Sequence, residues 1–155
     1  MSGNYFSIRR CSELSVVDHI TTQINASWSG IAVVKSFLAS YTQTIPCICV
    51  RMLNTESFRK EIGGDSLRQR YTFIIDIFAR SDGQRIDLAE FVVQAIKGGC
   101  VYYNYSHSSS SKETLDKVAD GRLILISFDS DSKVDFGSEA AEHDKFRHSI
   151  TFTME

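Results

Sequence analysis

With 155 residues, 43% of them hydrophobic, and a formal net charge of -2, the chain has the length and apolar content of one folded domain with a real core. The near-neutral balance gives no overall basic field, which argues against a sequence-reading nucleic-acid binder, and the 10 Phe separate the chain from disordered sequences. No apolar run approaches the ~20 residues that span a bilayer, and the start MSGNYFSIRRCSE has no continuous apolar segment, so the expectation is a protein folded in a cytoplasm, without a membrane partner.

In chain order, the segment from Glu13 to Asn25 predicts a first helix, capped by Ser12 or Ser15. Leu14, Val17, Ile20 and, as an extension, Ile24 recur along one face. Ser27-Trp28-Ser29-Gly30 breaks it. Ile31 to Leu38 (IAVVKSFL) predicts a strand, with continued helix as the competing reading because Ala, Lys and Leu suit both. After Pro46, Cys47 to Leu53 (CICVRML) predicts a second strand. Ile48, Val50 and Met52 share one of its faces, and Cys47, Cys49, Arg51 and Leu53 the other. Asn54 to Gln69 (NTESFRKEIGGDSLRQ) is polar and charged, and predicts a projecting element, either a long hairpin arm or a loop.

The stretch from Arg70 to Gly99 organises the rest. Tyr71, Phe73, Ile75, Ile77 and Ala79 alternate with Thr72, Ile74, Asp76 and Phe78, which is the period of a strand. After Ser81-Asp82-Gly83 the period becomes helical, with Ile86, Ala89, Val93 and Ile96 flanked by Leu88 and Val92. Gly98-Gly99 supplies a left-handed helix end. Cys100 to Tyr105 predicts a strand, Ser106 to Ser111 a low-complexity loop, and Lys112 to Asp120 a short helical turn. Arg122 to Phe128 predicts a strand. Asp129 to Asp144 reads as an acidic loop, and Phe146 to Met154 as an antiparallel strand partnered by Arg122 to Phe128.

The chemistry-bearing residues do not assemble into an active site. Cys11, Cys47, Cys49 and Cys100 contain no Cys-x-x-Cys pair and no zinc spacing, so buried or half-buried thiols are expected, with an intersubunit disulfide as the alternative. The acidic loop lacks the regular ligands and closing glutamate of an EF-hand, and Glu142-His143-Asp144 has one imidazole without ligand spacing. The serines beside His107 lie in a flexible run rather than at a Gly-x-Ser-x-Gly elbow. Gly63-Gly64 and Gly98-Gly99 are too short to cradle a phosphate. The expectation is no catalytic residue, no metal and no cofactor. The mixed charges of Arg51, Arg59, Lys60, Arg68 and Arg70 with Glu56, Glu61 and Asp65 suit contacts between subunits, or a solvated arm, better than a phosphate track.

Taken together, the N-terminal helix, Ile45-Pro46-Cys47-Ile48-Cys49-Val50, the arm with Glu61-Ile62-Gly63-Gly64, and Phe73-Ile74-Ile75-Asp76-Ile77-Phe78-Ala79 followed by Asp87-Leu88-Ala89-Glu90 carry a resemblance. Over most of Leu14 to Ile126 the chain resembles the tail terminator (tail completion, head–tail joining) proteins of long-tailed bacteriophages. That resemblance implies a single α+β domain, a mixed or mainly antiparallel sheet carrying helices. It further implies a hexameric ring that caps the last tail-tube ring, stops its polymerisation and meets the head-side connector, or neck protein, in the virion. The arm, with Glu56, Phe58, Arg59, Lys60, Glu61 and Arg68, is then expected to reach a neighbouring subunit or the tube. The acidic segment, with Asp129, Asp131, Asp135 and Glu139, is expected to face the lumen or a neighbouring ring, where negative charge lets genomic DNA slide without sticking. The alternatives are another neck protein, a tail-tube protein or, from a different class, a small cytoplasmic ligand-binding or hydrolytic domain.

Overall fold

The alternating run in the middle of the chain builds the centre of a five-stranded sheet. A computed structural model describes residues 6–35, 45–59, 67–107, 115–134 and 146–155. In order, its elements are α1 (Ile8–Ser27), β1 (Ala32–Val34), β2 (Cys47–Arg59), β3 (Leu67–Ala79), α2 (Asp82–Ile96), β4 (Cys100–His107), β5 (Leu115–Leu123), β6 (Leu125–Val134) and β7 (Phe146–Met154). The larger sheet has the order β1-β2-β3-β7-β6, with β1 parallel to β2 and the remaining pairs antiparallel; β4 and β5 form a second, two-stranded sheet. The chain is a single α+β domain.

One face of the larger sheet carries the core. Val16, Ile20 and Ile24 of α1 and Leu88, Val92 and Ile96 of α2 are buried with Ile48 and Val50 of β2, Phe73, Ile75 and Ile77 of β3, and Ile150, Phe152 and Met154 of β7. The Phe73 and Phe152 rings stack across the β3–β7 pair, with centroids 5.5 Å apart. All of Tyr71, Phe73, Ile75, Ile77 and Ala79 are buried, as the alternation predicts. On the opposite face Cys47, Cys49 and Phe78 form a smaller buried cluster.

Several expectations are corrected. Helix α1 begins at Ile8, where the Ser7 hydroxyl accepts the Arg10 N–H at 3.2 Å; Ser12 and Ser15 lie inside it and are buried. Its buried face runs through Cys11, Ser12, Ser15, Val16, Ile20 and Ile24; Val17 packs half-buried against this core, and Leu14 is half-buried outside it. In α2 the stripe is Leu88, Ala89, Val92 and Ile96, and Ile86 is 52% exposed, because several apolar registers compete there and packing selects one. The strand expected to reach Leu38 ends at Val34, and residues 36–44 lie outside the described part. No helical turn occurs over residues 115–120, which belong to β5, while 112–114 lie outside the described part. The single strand expected from Arg122 to Phe128 is divided at Ile124. That residue leaves β5 and exchanges two 2.9 Å backbone hydrogen bonds with Glu155 as the chain crosses into the larger sheet. The first part of the expected acidic loop is strand, since residues 129–134 continue β6 along β7. Strand β7 thus lies between β3 and β6, and β6 extends well past the partner segment expected for it.

Gly99 closes the turn between α2 and β4 with φ +75, and an added Cβ would stand 2.2 Å from the Leu123 carbonyl oxygen. Only glycine satisfies both conditions. No helix among the described residues is long and apolar enough to cross a membrane.

Candidate interaction surface

The segment from Asn54 to Gln69 is, in its described part, the outer half of the β2–β3 hairpin. The pairing runs from Cys47↔Phe78 to Arg59↔Leu67, with an irregularity between Met52 and Asn54 that leaves Leu53 exposed. Its neighbours stop early. Strand β1 pairs only with residues 47–49 of β2, and β7 leaves β3 at Tyr71↔Met154. Past that level, residues 55–59 and 67–70 continue as a two-stranded ribbon with no further strand paired to either edge among the described residues. Unpaired strand edges present backbone donors and acceptors to any chain that approaches.

The ribbon carries Glu56 and Phe58, both exposed, with Phe58 at 39%. The Arg70 guanidinium lies 5.1 Å from the Phe58 ring centroid and 3.2 Å from Glu155 Oε2. Arg59 and Arg68 occupy the outer strand positions, with Phe58 opposite Arg68. Lys60 and Glu61 lie outside the described residues. The hairpin thus brings Glu56, Phe58, Arg59 and Arg68 together on one element.

The acidic residues sit elsewhere. Asp129 accepts hydrogen bonds from Thr153 Oγ1 at 2.7 Å and from Ser127 Oγ at 2.9 Å. Asp131 pairs with Nε2 of the buried His148, whose Nδ1 faces Arg85 Nη1 at 2.7 Å. An arginine can only donate, so Nδ1 accepts and Nε2–H donates to Asp131. Arg85 also holds Asp82 at 3.0 Å, and this hydrogen bond, with nearby Lys133, keeps the Asp82 carboxyl below the usual carboxylate range. Asp131 therefore belongs to a clamp joining β6, β7 and α2. Register places it level with Ile75, whereas the ribbon begins past Tyr71, so the two predicted groups do not form one patch. Asp135 and Glu139 lie outside the described residues.

A second polar cluster was not anticipated. Asp76, fully buried in the middle of β3, accepts from Arg147 Nη2 at 3.0 Å and from Arg51 Nη2 at 3.3 Å, tying β2, β3 and β7 together. Its signal in the sequence is a carboxylate inside an apolar strand, since such a charge requires partners. All four cysteines are buried free thiols, and burial pushes Cys47, Cys49 and Cys100 up to about 11. Among the described residues, no three His, Cys, Asp or Glu side chains are grouped to hold a metal ion.

In comparisons with known proteins, no family model matches the chain, and no curated protein matches it.

Proposed function

We propose that the chain is a structural virion protein, a tail terminator that assembles into a hexameric ring, caps the tail tube, stops its growth and joins it to the head-side connector. The observation that carries this reading is the ribbon beyond Tyr71, with its open edges and its exposed Phe58 among mixed charges. A head-to-tail ring joins one patch of each copy to a different patch of the next, and a ribbon that extends past its own sheet supplies the first of these. Binding of this kind needs complementary edges and polar rims rather than a tuned nucleophile. In this arrangement the ribbon docks on the adjacent subunit or on the tube. The acidic segment that includes Asp129 and Asp131 lies towards the lumen, where genomic DNA passes without sequence-specific binding.

The test is assembly. Purified protein should run as closed rings by mass and by negative-stain imaging, and added protein should halt elongation of tail tubes. Long filaments would indicate a tube subunit instead, and a strict monomer without effect on tubes would reject the proposal.

A further inference from the structure

Besides the ribbon, the described residues leave strand edges open at β1, β6 and β5. Strand β1 offers only three residues. Strand β6 is interrupted between Leu125 and Ser127 and again between Phe128 and Ser130, and such irregularities turn an edge away from further pairing. The outer edge of β4 is occupied. Phe6 N–H donates to the Tyr105 carbonyl at 3.0 Å, and Ser15 Oγ accepts the Tyr103 N–H at 3.0 Å. Strand β5 is different. It pairs with β4 without interruption from His107↔Leu115 to Tyr103↔Ala119, and its other edge has no strand among the described residues. Residues 115–122 are exposed on both faces of a sheet two strands wide, an arrangement that gains from a third strand.

A lysine often guards an open edge, but here Lys117 is turned onto its own subunit. Its Nζ pairs with Asp18 of α1 at 2.9 Å and lies 4.5 Å from the Tyr103 ring centroid. Alternation then sets Asp116, Val118 and Asp120 on the opposite face, with Val118 59% exposed. Asp116 makes no ion pair among the described residues, and Asp120 holds the neutral Asn104 amide at 2.9 Å, so both keep their charge. The edge is thus an apolar residue between two acids. The ribbon carries the opposite sign. Its described strands hold Arg59, Arg68 and Arg70 against Glu56 alone, and over residues 67–70 strand β3 has no β7 partner. Arg68 and Arg70, two apart, share one face of that strand.

We propose that the open edge of β5, centred on Val118, is the dock for the ribbon of the next copy, whose residues 67–70 add a third strand to the β4–β5 sheet. This rests on the ring reading above and supplies the second patch that a head-to-tail contact needs. New backbone hydrogen bonds along the two open edges give the affinity. The arginines of the ribbon lie beside Asp116 and Asp120, with their aliphatic stems over Val118, and this charge match selects β5 over the other edges.

Charge reversal and cross-linking in the full chain test this. Asp116→Lys, at an exposed position, should melt like the unmodified protein yet raise the concentration needed for assembly about tenfold, and Arg68→Glu should do the same. The two together should restore assembly to within about threefold of the unmodified chain. For the cross-link, a tagged chain with Gln69→Cys is co-expressed with an untagged chain carrying Ala119→Cys and treated with a short bis-maleimide. A covalent product of mixed size is expected, while the unmodified chain, whose four thiols are buried, gives none. The same treatment with Ser132→Cys on β6 in place of Ala119→Cys should give no such product. Rings that survive both reversals, a double variant that fails to recover, or a mixed product only with Ser132→Cys would each overturn this contact and leave the ring reading standing. A mixed product from a particle of two copies would support the contact and overturn the ring. A monomer at every concentration would overturn both.

Discussion

Ser12 and Ser15 are both fully buried on the inner face of α1, yet they do opposite things. Ser15 Oγ donates to the Cys11 carbonyl at 2.7 Å and accepts the Tyr103 N–H at 3.0 Å, so it supplies a backbone partner exactly where β4 departs from its regular ladder. Removing it leaves a buried N–H unsatisfied, and Ser15→Ala should cost about 1–3 kcal/mol in chemical denaturation. Ser12→Ala removes a buried hydroxyl that has no well-aligned hydrogen-bond partner among the described residues and should be neutral or stabilising by up to ~1 kcal/mol. The buried thiols make a second prediction. Burial raises Cys47, Cys49 and Cys100 from an ordinary value of 9 to about 11, and raises Tyr71, Tyr102 and Tyr105 as well. Between these values the unfolded chain binds fewer protons than the folded one, so the contribution of these thiols should be level below pH 9 and stability should fall from pH 9 to 11. Denaturation midpoints measured across that range check the sign, and a midpoint that rises above pH 9 would contradict it.

At the scale of elements, Gly99 is the position least able to change. Its φ of +75 and the 2.2 Å approach to the Leu123 carbonyl oxygen set backbone against backbone, so Gly99→Ala should lose about 3 kcal/mol or more. Gly98→Ala, with open space around its Cβ, should change stability by less than about 1 kcal/mol in the same measurement. The elements that were legible in the sequence are those whose pattern and burial agree. Strand β3 was legible because its neighbours on both sides fix Tyr71, Phe73, Ile75, Ile77 and Ala79 on one buried face, and Gly99 ends its helix as the Gly-Gly pair indicates. The start of α1 was hidden because its inner face there is Cys11, Ser12 and Ser15, which do not read as a hydrophobic stripe. Strand β5 was hidden because residues 115–122 are exposed on both faces, so no alternation marks them. Asp129 and Asp131 looked like loop residues because strand β6 carries polar side chains satisfied by Thr153 and His148 rather than an apolar face. The candidate surface was legible as a polar, charged segment between strands. Its pairing was not, because register depends on contacts between residues far apart in sequence.

For the whole molecule, the proposed ring makes the ribbon a contact that assembly would require and folding would not. Deleting Phe58 to Asp65 leaves Ser66, Leu67 and Arg68 to join Ser57 to its partner Gln69, a short hairpin loop of an ordinary kind. The core under α1 and α2 lies on the far side of Tyr71 from this cut. The shortened chain should therefore melt cooperatively as a folded monomer while forming no rings, and intact rings in negative-stain images would show that the ribbon is not the contact. The most direct measurement is the mass of the full chain in solution across micromolar concentrations. A closed hexamer that persists on dilution is the predicted result. A monomer at every concentration, without effect on tube growth, would contradict a protein that works by closing a ring.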